Sequence, residues 1–251
     1  MANVFLGCPT YDGTMSALTA RGMFATASER HRVYTAVGDF SLVSLNCNRL
    51  WCMALNTRQA NDLQWFAMLH ADIGPERWWV DKLIAEAERC NADLLSAVVP
   101  IKDAEGLTST AILKPGGPLG GFVRLTMSQV RHPSFPDTFD VQAAVERLAK
   151  LPEELRLLDL PREALLVNTG CMVMRLDRPW ADERLWFDDL NGIVRINGEL
   201  TAICKSEDWN FSHRVAQLGG KVMATRIVKL THRGVSDYSS DQVWGKPRDV
   251  N

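Results

Sequence analysis

Apolar residues fall along this chain in short runs that end in polar clusters. Residues 4–7, Val-Phe-Leu-Gly, stop at Cys8-Pro9-Thr10-Tyr11-Asp12-Gly13. That pattern predicts a buried strand ending in a turn, with polar side chains presented at its C-terminal end. A helix is expected over 14–29, weaker strands over 33–37 and 41–43, and a helix over 47–56. Residues 64–69, Gln-Trp-Phe-Ala-Met-Leu, form a second apolar strand that meets His70-Ala71-Asp72-Ile73-Gly74-Pro75. Pro75 suits the first turn of the next helix, where Val80, Leu83, Ile84 and Ala87 share one face. Residues 93–99 read as a strand closed by Pro100.

Alternation of strand and helix over the first hundred residues predicts an α/β fold with a mostly parallel central sheet flanked by helices. Ligands in such sheets sit beyond the C-terminal strand ends, where both polar clusters lie. The segment 102–140 changes character: Lys114-Pro115-Gly116-Gly117-Pro118-Leu119-Gly120-Gly121 is rich in glycine and proline, and Pro133 and Pro136 follow. It reads as a long mobile loop, either a lid over a site or a surface insertion. A helix over 141–151, a strand over 165–176, a helix over 207–218 and a strand over 222–231 complete the chain. With no internal repeat, 1–251 is expected to form a single domain.

The 251 residues are 46% hydrophobic with a formal net charge of −2, enough to bury a sizeable core without a basic field that attracts nucleic acid. No stretch approaches the roughly 18 apolar residues of a membrane span, and the start lacks the basic and apolar regions of a signal peptide. The six cysteines (Cys8, Cys47, Cys52, Cys90, Cys171, Cys204) contain no Cys-x-x-Cys pair. Buried thiols in a reducing cytoplasm are therefore expected rather than zinc or disulfides. Of eight tryptophans, Trp51, Trp65 and Trp79 occupy core-like positions. Arg124, Arg131 and His132 form a possible local basic patch.

Four clusters carry candidate chemistry. Asp72 at a strand end suits a divalent cation bridging a diphosphate, and His70 points the same way two residues earlier; the same Asp72 also suits a helix cap. Ser206-Glu207-Asp208-Trp209-Asn210-Phe211 enters a helix, where paired acids complement the dipole or supply a general base. His232 ends the last strand and would complete a mixed Asp/His metal site. Gly170, in Asn168-Thr169-Gly170, permits a close backbone approach or a bulge.

The order of these pieces resembles the nucleotide-sugar glycosyltransferases of the GT-A fold, closest to the family-2-like inverting enzymes, from about residue 3 to 235. Pro9-Thr10-Tyr11-Asp12 resembles the family's nucleobase-holding turn, and Asn48-Arg49 its short polar pair. His70-Ala71-Asp72 occupies the place of the Asp-x-Asp motif. Asn168-Thr169-Gly170 resembles the segment beside the donor sugar, Glu207-Asp208 the base motif, and His232 the late metal ligand.

The resemblance implies a Rossmann-like GT-A domain that moves a sugar from a nucleoside-diphosphate sugar, UDP favoured, onto an acceptor hydroxyl with inversion. Asp208 would be the base, with Glu207 second. Pro9, Thr10, Tyr11, Asp12, Arg49, His70, Ala71, Asn168, Thr169 and Gly170 would hold the donor. Asp72, His232 and His70 would hold the metal. His70 departs from the family acid; an imidazole ligand there favours Mn²⁺ over Mg²⁺. The acceptor is a glycan, a protein, a small molecule or a modified DNA base. The competing readings are a non-catalytic domain that binds nucleotide sugar or carbohydrate, and a nucleotidyltransferase.

Overall fold

The structure, a computed structural model, describes residues 1–25, 30–115, 121–196, 198–234 and 237–242. It begins with β1 (Ala2–Thr10), α1 (Ala17–Phe24), β2 (His31–Asp39), α2 (Val43–Thr57), β3 (Leu63–Leu69), β4 (Ile73–Pro75), α3 (Trp79–Cys90) and β5 (Leu94–Ala97). The middle of the chain adds β6 (Leu107–Leu113), β7 (Phe122–Thr126), α4 (Met127–Arg131), β8 (Thr138–Phe139) and α5 (Val141–Leu148). After a 3₁₀ turn at Glu153–Leu155 come β9 (Leu165–Leu166), β10 (Cys171–Arg175), β11 (Leu190–Ile196) and β12 (Glu199–Lys205). The chain closes with α6 (Glu207–Gln217), β13 (Val222–Thr225), β14 (Leu230–Arg233) and β15 (Asp237–Ser239).

Seven strands form the central sheet in the order β2-β1-β3-β10-β5-β13-β8. β1 is parallel to β2 and β3, and β5 to β13, while β10 and β8 run against their neighbours. The result is a mixed α/β fold whose large central sheet is mostly parallel and flanked by helices.

Both faces of this sheet are covered, which explains why its strands read as unbroken apolar runs. The period of two still sorts the side chains. Phe5, Phe66, Met68, Met172 and Met174 join Trp51 of α2 and Phe211 of α6 in one cluster. Val4, Leu6, Trp65, Ala67, Leu69, Cys171 and Val173 join Trp79, Val80, Leu83 and Ile84 of α3 in the other. Trp51, Trp65 and Trp79 are buried, as their positions indicated.

Several expected boundaries move. Residues 41–43 are no strand: they lead into α2, which starts at Val43. Pro75 ends β4 rather than opening a helix, and α3 begins at Trp79. α1 stops at Phe24, and residues 26–29 of the expected helix lie outside the described residues.

The expected strand over 165–176 is two strands separated by the 167–170 turn. That over 222–231 is also two, in different sheets. The segment 102–140 is mostly not a loop. β6 and β7 pair as a hairpin, and Ile112, Leu125, Met127, Val130, Phe135 and Phe139 are buried in the main cluster. Of its glycine- and proline-rich stretch, residues 116–120 lie outside the described residues. Three thiols are buried (Cys8, Cys47, Cys171), whereas Cys52 and Cys204 are exposed; all six are free. Among the described residues, no helix is long and apolar enough to cross a membrane.

Phe66 joins the sheet to α2, its ring 5.2 Å from Trp51 and 6.0 Å from Phe5. Truncating so enclosed an aromatic removes burial and leaves a cavity. Phe66→Ala is expected to lower the unfolding free energy by about 3–5 kcal/mol in urea titration; a loss below about 1 kcal/mol would show that the cluster collapses around the gap.

Candidate functional site

At the C-terminal ends of β1 and β3 lies a cavity of about 350 Å³ lined by Pro9, Thr10, Tyr11, Asp12, Asn46, His70, Ala71, Asp72 and Arg233, among others. The β1 turn is held from within. Thr10 Oγ1 donates to the Gly38 carbonyl at 2.7 Å and accepts the Gly13 N–H at 2.9 Å. Gly13 takes the left-handed conformation, φ +79°, that closes such a turn without a Cβ clash. Asp12 accepts from the Thr14 hydroxyl, which holds its carboxyl below the usual range. Tyr11 stands exposed at the cavity.

Helix α2 contributes a residue that its sequence did not advertise. Asn46 is buried and donates through Nδ2 to the carbonyls of Thr10 (2.8 Å) and Gly38 (3.1 Å), tying β1 to β2 beneath the cavity. Gly38 makes this possible, since a Cβ there would lie 2.0 Å from Asn46 Oδ1. Arg49, expected to hold the donor, is instead exposed, stacks over Phe40 at 4.2 Å, and does not line the cavity. Its neighbour Asn48 exchanges two hydrogen bonds with the Phe187 backbone and has a structural role.

The second wall follows β3. β14, from the far end of the chain, pairs antiparallel with β4 so that His232 lies opposite Ile73, and the Arg233 N–H donates to the Asp72 carbonyl at 2.8 Å. This brings His232 Nε2 to 3.4 Å from Asp72 Oδ2. His232 Nδ1 faces the Pro100 carbonyl at 2.7 Å, and because a carbonyl only accepts, Nδ1 carries the proton. The same Asp72 oxygen also accepts from Lys102 Nζ. Burial pushes the Asp72 carboxyl up, but His232 and Lys102 outweigh it and hold the group well below the usual carboxylate range.

The 167–170 turn joins this wall to α6. Asn168 Nδ2 donates to Asp208 Oδ2 at 2.7 Å, and the Thr169 N–H (3.2 Å) and hydroxyl both donate to Asp208 Oδ1. Asn168 Oδ1 accepts the Gly170 N–H, and the Gly170 carbonyl accepts the His70 N–H at 2.9 Å. Asp208 is thus buried and engaged on both oxygens.

Glu207 is different. It is half-buried, and burial followed by the charge of Asp208 pushes its carboxyl up to about 8. Its N–H is taken by Asp189 Oδ1 at 3.2 Å, while the Ser206 side chain makes no cap. Neither acid lines the cavity. Trp209 is anchored by Nε1 on the Ser109 carbonyl at 2.8 Å, and Phe211 stacks on Phe187 at 4.0 Å.

Of the three expected metal ligands, Asp72 and His232 stand 3.4 Å apart. His70 lines the cavity, yet its Nε2 is enclosed with no hydrogen-bond partner. Among the described residues, no group of three or more His, Cys, Asp or Glu side chains is placed to hold a metal ion. The one carboxylate at this point already carries a lysine ammonium. With Asp72 Oδ2 engaged by Lys102, the donor set at Asp72, His232 and His70, where Mn²⁺ was expected, does not by itself fit a divalent cation.

The class these features define is an α/β fold with a cavity at the strand ends of a mostly parallel sheet. Among solved structures the chain is similar to A197 from STIV, at 12% identity and a TM-score of 0.51, the match covering 99% of this chain and 95% of A197. At that identity the likeness concerns the fold alone. The sequence matches no protein-family model and no curated protein.

Gly170 is a point of close approach. A Cβ there would lie 2.6 Å from Asn168 Oδ1 and from Ile73 Cδ1, and 3.0 Å from His70 Cγ. Gly170→Ala is expected to cost about 1–3 kcal/mol of stability in urea titration by overpacking this junction. Parental stability would mean that the turn has room to give.

Proposed function

We propose that this chain is a nucleotide-sugar glycosyltransferase of the GT-A type, transferring a sugar from a nucleoside-diphosphate donor, UDP favoured, to an acceptor hydroxyl with inversion. The observation that carries this reading is convergence: the β1 turn, the 70–72 corner and the distant Arg233 meet at one cavity, with His232 against Asp72 and the Asn168–Gly170 turn linking the corner to an acid pair. In this reading the nucleobase lies by Thr10 to Asp12 and the diphosphate by Asp72. A cavity of about 350 Å³ suits a donor held partly in the open.

The geometry favours Glu207 over Asp208 as the base. Asp208 spends both oxygens on the 168–170 turn and serves to position it. Glu207, held near 8, has proton affinity suited to accepting the acceptor's hydroxyl proton near neutral pH. The freed oxygen attacks the anomeric carbon, the bond from that carbon to the diphosphate oxygen breaks, and the nucleoside diphosphate departs with the bonding electrons. The acceptor is a glycan, a protein, a small molecule or a modified DNA base, and six free thiols suit a reducing cytoplasm.

Incubation with a panel of UDP-sugars and candidate acceptors, following UDP release, tests the reading. Glu207→Gln is expected to lower kcat by about 10²- to 10⁴-fold with donor affinity little changed. The parent's kcat should rise with pH through about 8, because a carboxylate raised to that value is protonated and idle below it. Donor binding without any UDP release would favour a non-catalytic nucleotide-sugar-binding protein. Full activity in Glu207→Gln would remove it as base.

A further inference from the structure

We infer that Lys102 does the work expected of a divalent cation: its ammonium, held on Asp72, neutralises the donor's diphosphate directly. This rests on the nucleotide-sugar reading above. Lys102 lies just after the expected strand end at Pro100 and carries no family motif; only the fold brings it to Asp72, 30 positions earlier.

The contact is built rather than casual. Lys102 and Asp72 are each partly exposed, at 32% and 41% of their side chains, so the ammonium is held without being sealed off. The lysine stem passes Gly234, where a Cβ would lie 2.9 Å from Lys102 Cδ and 3.3 Å from Cγ. Any side chain at 234 would press on the stem. With Nδ1 of His232 spent on Pro100, Nε2 faces Asp72 Oδ2 at 3.4 Å, so imidazole and ammonium converge on one carboxylate oxygen.

Charge decides between lysine and metal. An acid pair attracts a divalent ion, but here His70 stands where the first acid would, and Arg233 joins the same cavity wall. Asp12, the other acid of the lining, is turned onto Thr14 in the β1 turn. A metal ion would have to displace Lys102 and face Arg233. A diphosphate instead meets an ammonium with donors to spare, since Asp72 uses one of its three protons, and meets it already oriented. Asp72 is then the positioning residue for Lys102.

Calorimetric titration of UDP into the full chain, in EDTA and separately in Mn²⁺, tests this. UDP is expected to bind in EDTA, with Mn²⁺ changing Kd by less than about threefold. Lys102→Gln should weaken binding about tenfold or more, the loss of one charge-assisted contact, while Lys102→Arg retains most of it. UDP binding that requires Mn²⁺, or that is undiminished in Lys102→Gln, would overturn the role of Lys102 and leave the nucleotide-sugar reading standing. Failure of UDP and other nucleoside diphosphates to bind in both buffers would overturn both.

Discussion

Three hydrogen bonds to one buried carboxylate hold the candidate site together. Asp208 sits in the first turn of α6, where the helix dipole favours its charge, and it takes donors from Asn168 and Thr169. A buried carboxylate is costly unless its lone pairs are filled, so the 167–170 turn and the helix start must form together. That turn ends β9 and starts β10, and its Gly170 carbonyl receives the His70 N–H. The corner carrying Asp72 is therefore fixed by a residue more than a hundred positions away.

Asp208 also shapes the chemistry of its neighbour. Its fixed negative charge, added to burial, raises Glu207 far above an ordinary carboxyl. Two adjacent acids thereby acquire different characters: Asp208 is fixed by its hydrogen bonds, and Glu207 is raised by burial and its neighbour. Across the site, Lys102 and His232 produce the reverse effect on Asp72. In the proposed reaction, the Asp72 corner would face the diphosphate leaving group and Glu207 the acceptor hydroxyl.

Much of the frame was legible from the sequence because burial on both faces of a sheet leaves a distinctive trace. β1, β3 and β5 appear as apolar runs, α3 as a stripe through Val80, Leu83, Ile84 and Ala87, and the β1 and β3 runs end in the polar clusters that face the cavity. β6 was missed because Thr108, Ser109 and Thr110 look like loop residues. They are buried, and Thr108 meets its need by donating to the Leu125 carbonyl at 2.8 Å. The β11–β12 hairpin left no signal because its surface is largely exposed, with even Ile193 and Leu200 in solvent.

Residue types and spacing along the chain thus determined which strand ends present Thr10, Asp12, His70 and Asp72, since a run's end is a local property. Which of those groups meet each other was decided only by tertiary structure. His232 reaches Asp72 through the pairing of β14 with β4, and Lys102 through a loop that no periodicity describes. The surroundings of Glu207 and Asp208, alike in sequence, diverge in burial and hydrogen-bond partners. Charge and proton affinity depend on what lies within a few ångströms in space, and the linear order of residues does not contain that distance.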